Sequence, residues 1–273
     1  MPTSCAYTPS RRLSVVIPCL NDAALLETCL QAFAQQQVPA DEIIVVDNGS
    51  TDHSAQVAKR FGATVVNEPR RGITFATKTG FDAASGDVLL RTDTDVVPAP
   101  DFVLRLHQAW DFVAATAAAD PAGRTVVGVT GDGRFLLPGW RGKLATNAYM
   151  GAYRKAVGFA LGHQPLFGTN YCLTRAFWTR VSTEVDFTDT EVHEDMHISF
   201  AVRPDETVWV QHDLVLPMDA RALVGSKQVV RRFARGMHTI VVNWRKQAPW
   251  VRLAERGVLP DAVAEQVRSS AMK

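Results

Sequence analysis

The chain has 273 residues, 47% of them hydrophobic, with 29 Lys and Arg against 28 Asp and Glu and a formal charge of +1. That is the composition of a globular protein with room for one large domain or two small ones, and near-neutrality removes any global case for nucleic-acid binding. No run approaches the ~20 apolar residues of a membrane span, and Met1 to Arg12 lacks the apolar core of a signal peptide. The four cysteines, Cys5, Cys19, Cys29 and Cys172, include no Cys-x-x-Cys pair. They read as reduced thiols of a cytoplasmic protein, not as a disulfide or zinc framework.

Strand-like and helix-like segments alternate through the first hundred residues. Leu13 to Pro18 is short and β-branched, and Ala23 to Gln36 has helical spacing in Leu25, Cys29, Leu30 and Phe33. Glu42 to Asp47 is the second predicted strand. Asn48-Gly49 breaks it, and Ser50 or Thr51 can cap a helix reaching about Phe61. Thr64 to Asn67 is the third strand, Gly72 to Ala84 a helix, and Asp87 to Thr92 the fourth strand. Near-continuous apolar strands alternating with helices indicate a parallel sheet covered on both faces, with ligands held beyond the carboxyl ends of its strands. Pro18, Asp47, Asn67 and Asp93 stand at such ends.

The second half is less regular. Thr125 to Thr130 is a predicted strand followed by a loop, Gly131-Asp132-Gly133. Trp140 to Leu161 reads as a helix, Phe167 to Asn170 as a turn, and Tyr171 to Thr174 as a short extended segment. Glu191 to Val202 reads as helical, Glu206 to Leu216 as extended, and Ser226 to Trp244 as a basic, apolar helix. A composition shift over Pro98 to Pro121 marks the change from a nucleotide half to an acceptor half. These are two lobes of one domain.

Asp93-Thr94-Asp95 follows the fourth apolar run. Alternation along a strand would point both carboxylates the same way. Two such groups repel unless a cation lies between them, and hard oxygens suit Mg²⁺ or Mn²⁺ carrying a diphosphate. The competing reading is a solvated Asp-rich turn before Pro98.

Taken in order, these motifs resemble glycosyltransferase family 2, whose members have the GT-A fold. Val15 to Asp22 is similar to that family's first strand and loop. Ile44 to Asp52 is similar to its second-strand signature, with Asn48 where an Asp is usual. Arg71-Gly72, Gly80 and Ala84 to Asp87 fit the segment that leads into the metal motif. The resemblance is good over residues 12–105 and patchier to residue 235. It implies that Asp95 ligates a divalent metal and that Asp93 holds metal, ribose or sugar. It further implies that Asp47 contacts the base of a nucleotide-diphosphate sugar, its competing reading being a turn residue before Asn48-Gly49, and that Pro18 and Asn21 line the same pocket. Arg71 and Lys78 are candidates for phosphate contacts; an exposed basic helix face would account for them equally. Gly168-Thr169-Asn170 would lie over the sugar or acceptor, or form an ordinary turn.

His193-Glu194-Asp195-Met196-His197 admits two chemical readings. As His-Glu-x-x-His it is a zinc-hydrolase motif with both His on one helical face. As Glu194-Asp195 it resembles the family's Glu-Asp pair, whose Asp is the general base that takes the acceptor hydroxyl's proton. The zinc reading lacks a third His, since position 203 is Arg203. A charged helix start is the plain alternative. Family members often add a His ligand downstream; Pro217-Met218-Asp219 occupies that place here, which makes Asp219 a substitute and leaves His212 outside.

The segment after Ser226 carries Lys227, Arg231, Arg232, Arg235, Arg245, Lys246, Arg252 and Arg256 beside a helical apolar stripe. The stripe either packs on the core or lies on a membrane surface, and its cations suit a donor or acceptor phosphate. Gln228 to Arg232 departs from the Gln-x-x-Arg-Trp motif of polymer synthases by having Arg232 for Trp. The expected molecule is therefore a GT-A α/β domain over residues 1–222, with a nucleotide half at about 12–120 and an acceptor half at about 121–222. A basic helical extension follows over 223–273. The implied activity is metal-dependent, inverting sugar transfer with Asp195 as base. Its acceptor is a glycan, a lipid-linked or a small-molecule hydroxyl, and the protein is cytoplasmic with possible peripheral contact to the membrane. The rivals are a zinc hydrolase and a non-catalytic nucleotide-sugar binder.

Overall fold

A computed structural model of the chain describes residues 7–116, 120, 122–137, 139–219 and 226–271. Cys5 and the expected boundary at residues 222 and 223 lie outside them. In chain order the elements are β1 (Leu13–Cys19), α1 (Ala23–Ala34), β2 (Glu42–Asp47), α2 (Ser54–Arg60), β3 (Thr64–Asn67), α3 (Ile73–Ala83), β4 (Val88–Thr92) and α4 (Phe102–Ala115). There follow β5 (Thr125–Phe135), α5 (Gly139–Leu161), β6 (Asn170–Thr174), α6 (Arg175–Glu184), α7 (Glu194–Phe200) and β7 (Glu206–Met218), then α8 (Ser226–Lys246), α9 (Pro249–Glu255) and α10 (Asp261–Ala271).

The strands form one seven-stranded sheet in the order β3-β2-β1-β4-β6-β5-β7. Only β6 runs against its neighbours, pairing antiparallel with β4 and β5. Strand residues alternate between two cores, as a sheet buried on both faces requires. Leu13, Val15 and Ile17 pack with Leu26, Leu30 and Phe33 of α1 and Leu106 and Trp110 of α4. Val16, Val46 and Leu89 pack on the other side with Phe81 of α3, Trp178 of α6 and Ile198 of α7.

Two expectations need correction here. The loop at Gly131-Asp132-Gly133 is instead the middle of β5, which pairs with β7 to Phe135 across register shifts near Thr130 and Asp132. Gly131 permits this approach, because a Cβ there would stand 2.0 Å from the Leu214 carbonyl oxygen. The helix expected from Glu191 starts only at Glu194, because residues 189–192 turn under α8.

The C-terminal helices are fastened to the domain through buried arginines. Arg252, 5% exposed, donates to the carbonyls of Leu161 (2.8 Å) and Phe200 (3.0 Å). Arg256, 7% exposed, donates to those of Arg203 (2.7 Å) and Glu206 (2.8 Å). Both therefore belong to the interior and not to an exposed basic face.

Candidate active site

A cleft of about 450 Å³ opens beyond the carboxyl ends of β1, β2 and β4, where parallel-sheet architecture places ligands. Pro18, Asn48, Arg71 and Asp93 line it from the first hundred residues, and Arg231 and Arg235 reach it from α8. Pro18, Arg71 and Asp93 are thus brought together as their motifs imply.

Asn21 and Asp47 do not line the cleft and instead hold the loops beside it. Asn21 adopts a left-handed backbone at φ 56° and its Oδ1 accepts from the Thr51 amide at 2.7 Å, which ties the loop after β1 to the loop after β2. Asp47 accepts from the Ser50 amide at 2.8 Å and shapes the turn after β2. Asn48 explains its own departure from the usual Asp. Its Nδ2 donates to the carbonyls of Glu68 (2.9 Å) and Arg70 (2.7 Å), while its Oδ1 accepts from the Gly72 amide at 2.9 Å. A carboxylate could not make the two donations. Lys78 stands apart from the cleft, bonded to Asp82 at 2.6 Å and lying near the faces of Trp178 and Phe187.

Asp93-Thr94-Asp95 lies differently from its strand-based expectation. β4 ends at Thr92, and Thr94 and Asp95 belong to a turn, so strand alternation does not set the direction of the two carboxylates. Both carboxylates nevertheless lie close enough to Cys29 to help burial push its thiol up. Asp93 bonds to Arg91 at 2.8 Å and accepts from the Thr169 hydroxyl at 2.7 Å. Val96 forms an antiparallel bridge with Met218, and the Val97 amide donates to Pro217 at 3.3 Å. That register places Asp219 opposite Asp95. No three acidic, His or Cys side chains converge tightly enough to hold a metal by themselves among the described residues. His212 is exposed and bonds to Asp132 at 3.0 Å, as expected of a residue outside the site.

Behind Asp93 lies a buried constellation. Arg91 donates to the Gly168 carbonyl and its Nε stands 3.3 Å from Glu194 Oε1. The Gly168 amide in turn donates to Asp195 Oδ2 at 2.8 Å, and the Tyr153 hydroxyl lies 3.0 Å from the same oxygen. Glu194 and Asp195 are 5% and 7% exposed. Burial pushes Glu194 up to about 7; Arg91 opposes this, and Asp195 and Asp93 add to it. One arginine and one glycine thus connect the metal motif to the Glu-Asp pair a hundred residues later in sequence. The sequence points to Gly168 and Thr169 here and to the α8 cations, Arg235 among them, beside a phosphate, but gives no sign of Arg91 or Tyr153. Arg235 donates to the carbonyls of Thr190 (3.0 Å) and Val192 (2.7 Å) while facing the cleft.

The histidines flanking the pair are occupied separately. His193 Nε2 donates to the Arg232 carbonyl at 2.9 Å. His197 Nδ1 accepts from Asn243 at 2.8 Å, so its Nε2 donates to the Asp186 carbonyl at 3.1 Å. Burial holds His197 below the usual imidazole range. A zinc ion would have to displace one of the two bonds on the His197 ring.

Known proteins share this architecture. Mannosyltransferase PcManGT from Pyrobaculum calidifontis, solved with GDP-Man and Mn²⁺, superposes with a TM-score of 0.60 at 21% identity, over 97% of this chain and 81% of that one. Glucosyl-3-phosphoglycerate synthase from Mycobacterium tuberculosis, solved with Mn²⁺, UDP and glucosyl-3-phosphoglycerate, gives 0.53 at 22% identity, over 86% and 80%. These likenesses identify the fold as GT-A. Glycosyltransferase AglE of Haloferax volcanii is 32% identical over 106 residues, which are 36% of this chain and 32% of that protein. The match therefore spans about a third of that relative's length. The profile of glycosyl transferase family 2 matches residues 14–164, more than half of the chain, and the protein belongs to that family.

Proposed function

We propose that the protein transfers a sugar from a nucleotide-diphosphate donor to an acceptor hydroxyl, with inversion and with Mn²⁺ or Mg²⁺ bound. The observation that carries this reading is the cleft at the strand ends, where the Asp93 carboxylate shares the lining with the cations Arg71, Arg231 and Arg235. Guanidinium groups suit diphosphate oxygens. The donor set fits the metal as well: Asp93 and Asp95 supply hard oxygens with Asp219 beside them in register, and Mg²⁺-type ions commonly take one or two carboxylates and complete their shell with phosphate and water. Once bound, the metal supplies Lewis-acid stabilisation of the departing diphosphate. The Mn²⁺ of the two structural neighbours is in keeping with this.

The chain's own residues supply the rest. Arg71 and Arg231 offset diphosphate charge at the mouth, and Arg235 holds residues 190–192 against the cleft. Asp195 acts as the base. Two carboxylate oxygens offer about four acceptor positions; the Gly168 amide takes one on Oδ2 and the Met196 amide one on Oδ1, leaving a position on Oδ1 for the acceptor hydroxyl. Attack from that side, opposite the leaving diphosphate, inverts the anomeric carbon. Glu194 and Arg91 position the pair from behind. Incubation with Mn²⁺ and a panel including UDP-glucose and GDP-mannose tests the reading. Nucleoside diphosphate release that EDTA abolishes and Mn²⁺ restores is expected. Donor binding without release across sugars and acceptors would leave a non-catalytic binder instead.

A further inference from the structure

α8 is turned inside out for a helix of a water-facing protein. Its polar residues Thr239 and Asn243, 0% and 8% exposed, point inward, where they bond to the His193 amide and to the His197 ring. Its apolar residues Val230, Phe233, Met237 and Val241 are 67%, 71%, 44% and 40% exposed. Spaced at three and four residues, these four form one stripe on the opposite face. α5 runs beside α8: Trp244 donates to the Ala160 carbonyl at 3.3 Å, and Ile240 packs with Val157 and Leu161. It too shows apolar side chains outward, with Leu144 60% and Phe159 69% exposed. Solvent-facing apolar surface of this extent calls for an occupant.

Charge decides which one. Lys143 and Lys155 of α5 and Arg245 of α8 are exposed cations, and neither helix contains an Asp or Glu, although the whole chain carries only +1. A second copy related by two-fold symmetry would set this cationic face against itself. No described helix is long and apolar enough to cross a bilayer. We propose that the α5–α8 face docks on an anionic lipid surface, with the stripe in the headgroup boundary and the cations on lipid phosphates. Because Arg231 and Arg235 of the same helix line the donor cleft, docking brings a lipid-borne acceptor to the site. That last clause rests on the transferase reading; the docking itself does not.

The test is co-sedimentation of the whole chain with vesicles of phosphatidylglycerol and phosphatidylcholine, against phosphatidylcholine alone. Retention by the anionic vesicles at low salt, and its loss at high salt, is expected, since exposed charges are screened within about 10 Å. Replacing Lys143, Lys155 and Arg245 by Gln should weaken partitioning roughly a hundredfold, at about fivefold per cation. The double variant Phe233→Ser and Met237→Ser should also lose retention with an unchanged unfolding midpoint, because exposed positions tolerate substitution. Wild type left in the supernatant at low salt would overturn the proposal, as would equal retention by neutral vesicles. A dimer in solution that the double variant abolishes would assign the face to a second copy instead. Calorimetric binding of UDP or GDP with Mn²⁺, measured on the same samples, separates failure of docking from failure of the transferase reading.

Discussion

Arg91 and Glu194 meet in the interior, Nε to Oε1 at 3.3 Å, with side chains 5% and 6% exposed. Above about pH 7, where Glu194 is ionised, the contact is an ion pair without hydrogen-bond alignment, since Arg91 Nε has no hydrogen-bond partner among the described residues. A buried pair of this kind is held for position more than for net stability, because desolvation offsets much of the attraction. Here it fixes the backbone start of α7 and, through Gly168, the Asp195 carboxylate.

Glu194 makes this arrangement sensitive to pH. Burial raises it from the usual 4.5 to about 7 in the folded chain, so the folded state binds more protons than the unfolded state between those values. Its contribution to stability is complete below 4.5 and is lost as pH rises through about 7. The unfolding midpoint should accordingly decline across that window, and Glu194→Gln should flatten the decline. An identical slope in wild type and variant would show that Glu194 does not retain its proton on folding.

Asp195→Asn should leave donor affinity nearly intact and cut turnover by roughly 10²–10⁴-fold, the usual scale for loss of a general base. Tyr153→Phe removes one neighbour of the carboxylate and not the base, and should be milder. Steady-state kinetics beside calorimetry distinguishes the two effects; near-normal turnover in Asp195→Asn would remove the base assignment.

Gly168 is a position of close approach. A Cβ there would lie 3.1 Å from Asp195 Oδ2 and 3.7 Å from an Arg91 nitrogen. Gly168→Ala should displace the carboxylate by a few tenths of an ångström and lower turnover roughly tenfold to a hundredfold, with donor binding retained, because misplaced catalytic groups are costly out of proportion to the distance. Unchanged kinetics would mean that the Asp195 position tolerates such a shift.

Arg252→Ala should destabilise the chain by about 3 kcal/mol or more, since it strands several buried carbonyls. The carbonyls of Leu161, Phe200 and Val202 all accept from this one guanidinium. Denaturant unfolding measures the loss; a change within about 0.5 kcal/mol, typical of a surface site, would place Arg252 outside the interior.

The first four strands were legible because parallel strands buried on both faces read as apolar runs, and their ends mark where ligands sit. Even so α4 escaped: Phe102, Val103, Leu106, Ala109 and Trp110 have helical spacing and are buried, but the flanking prolines read as a boundary. Lys78 misled for a local reason, since a lysine four residues before Asp82 satisfies itself on its own helix. The strand argument for Asp93 and Asp95 failed because the chain turns immediately after Thr92. Tyr153 carries no local signature at all; only the packing of α5 against α7 brings it to Asp195.

The central claim is that the acidic turn after β4 holds a metal that binds the donor's diphosphate. Calorimetric titration of wild type and Asp95→Ala with UDP and GDP, each with and without Mn²⁺, tests it most directly. The account predicts that wild type binds at least one of the two much more tightly with Mn²⁺, and that Asp95→Ala loses this enhancement by on the order of tenfold or more. Equal affinity in wild type and variant, with Mn²⁺ making no difference to either, would contradict it.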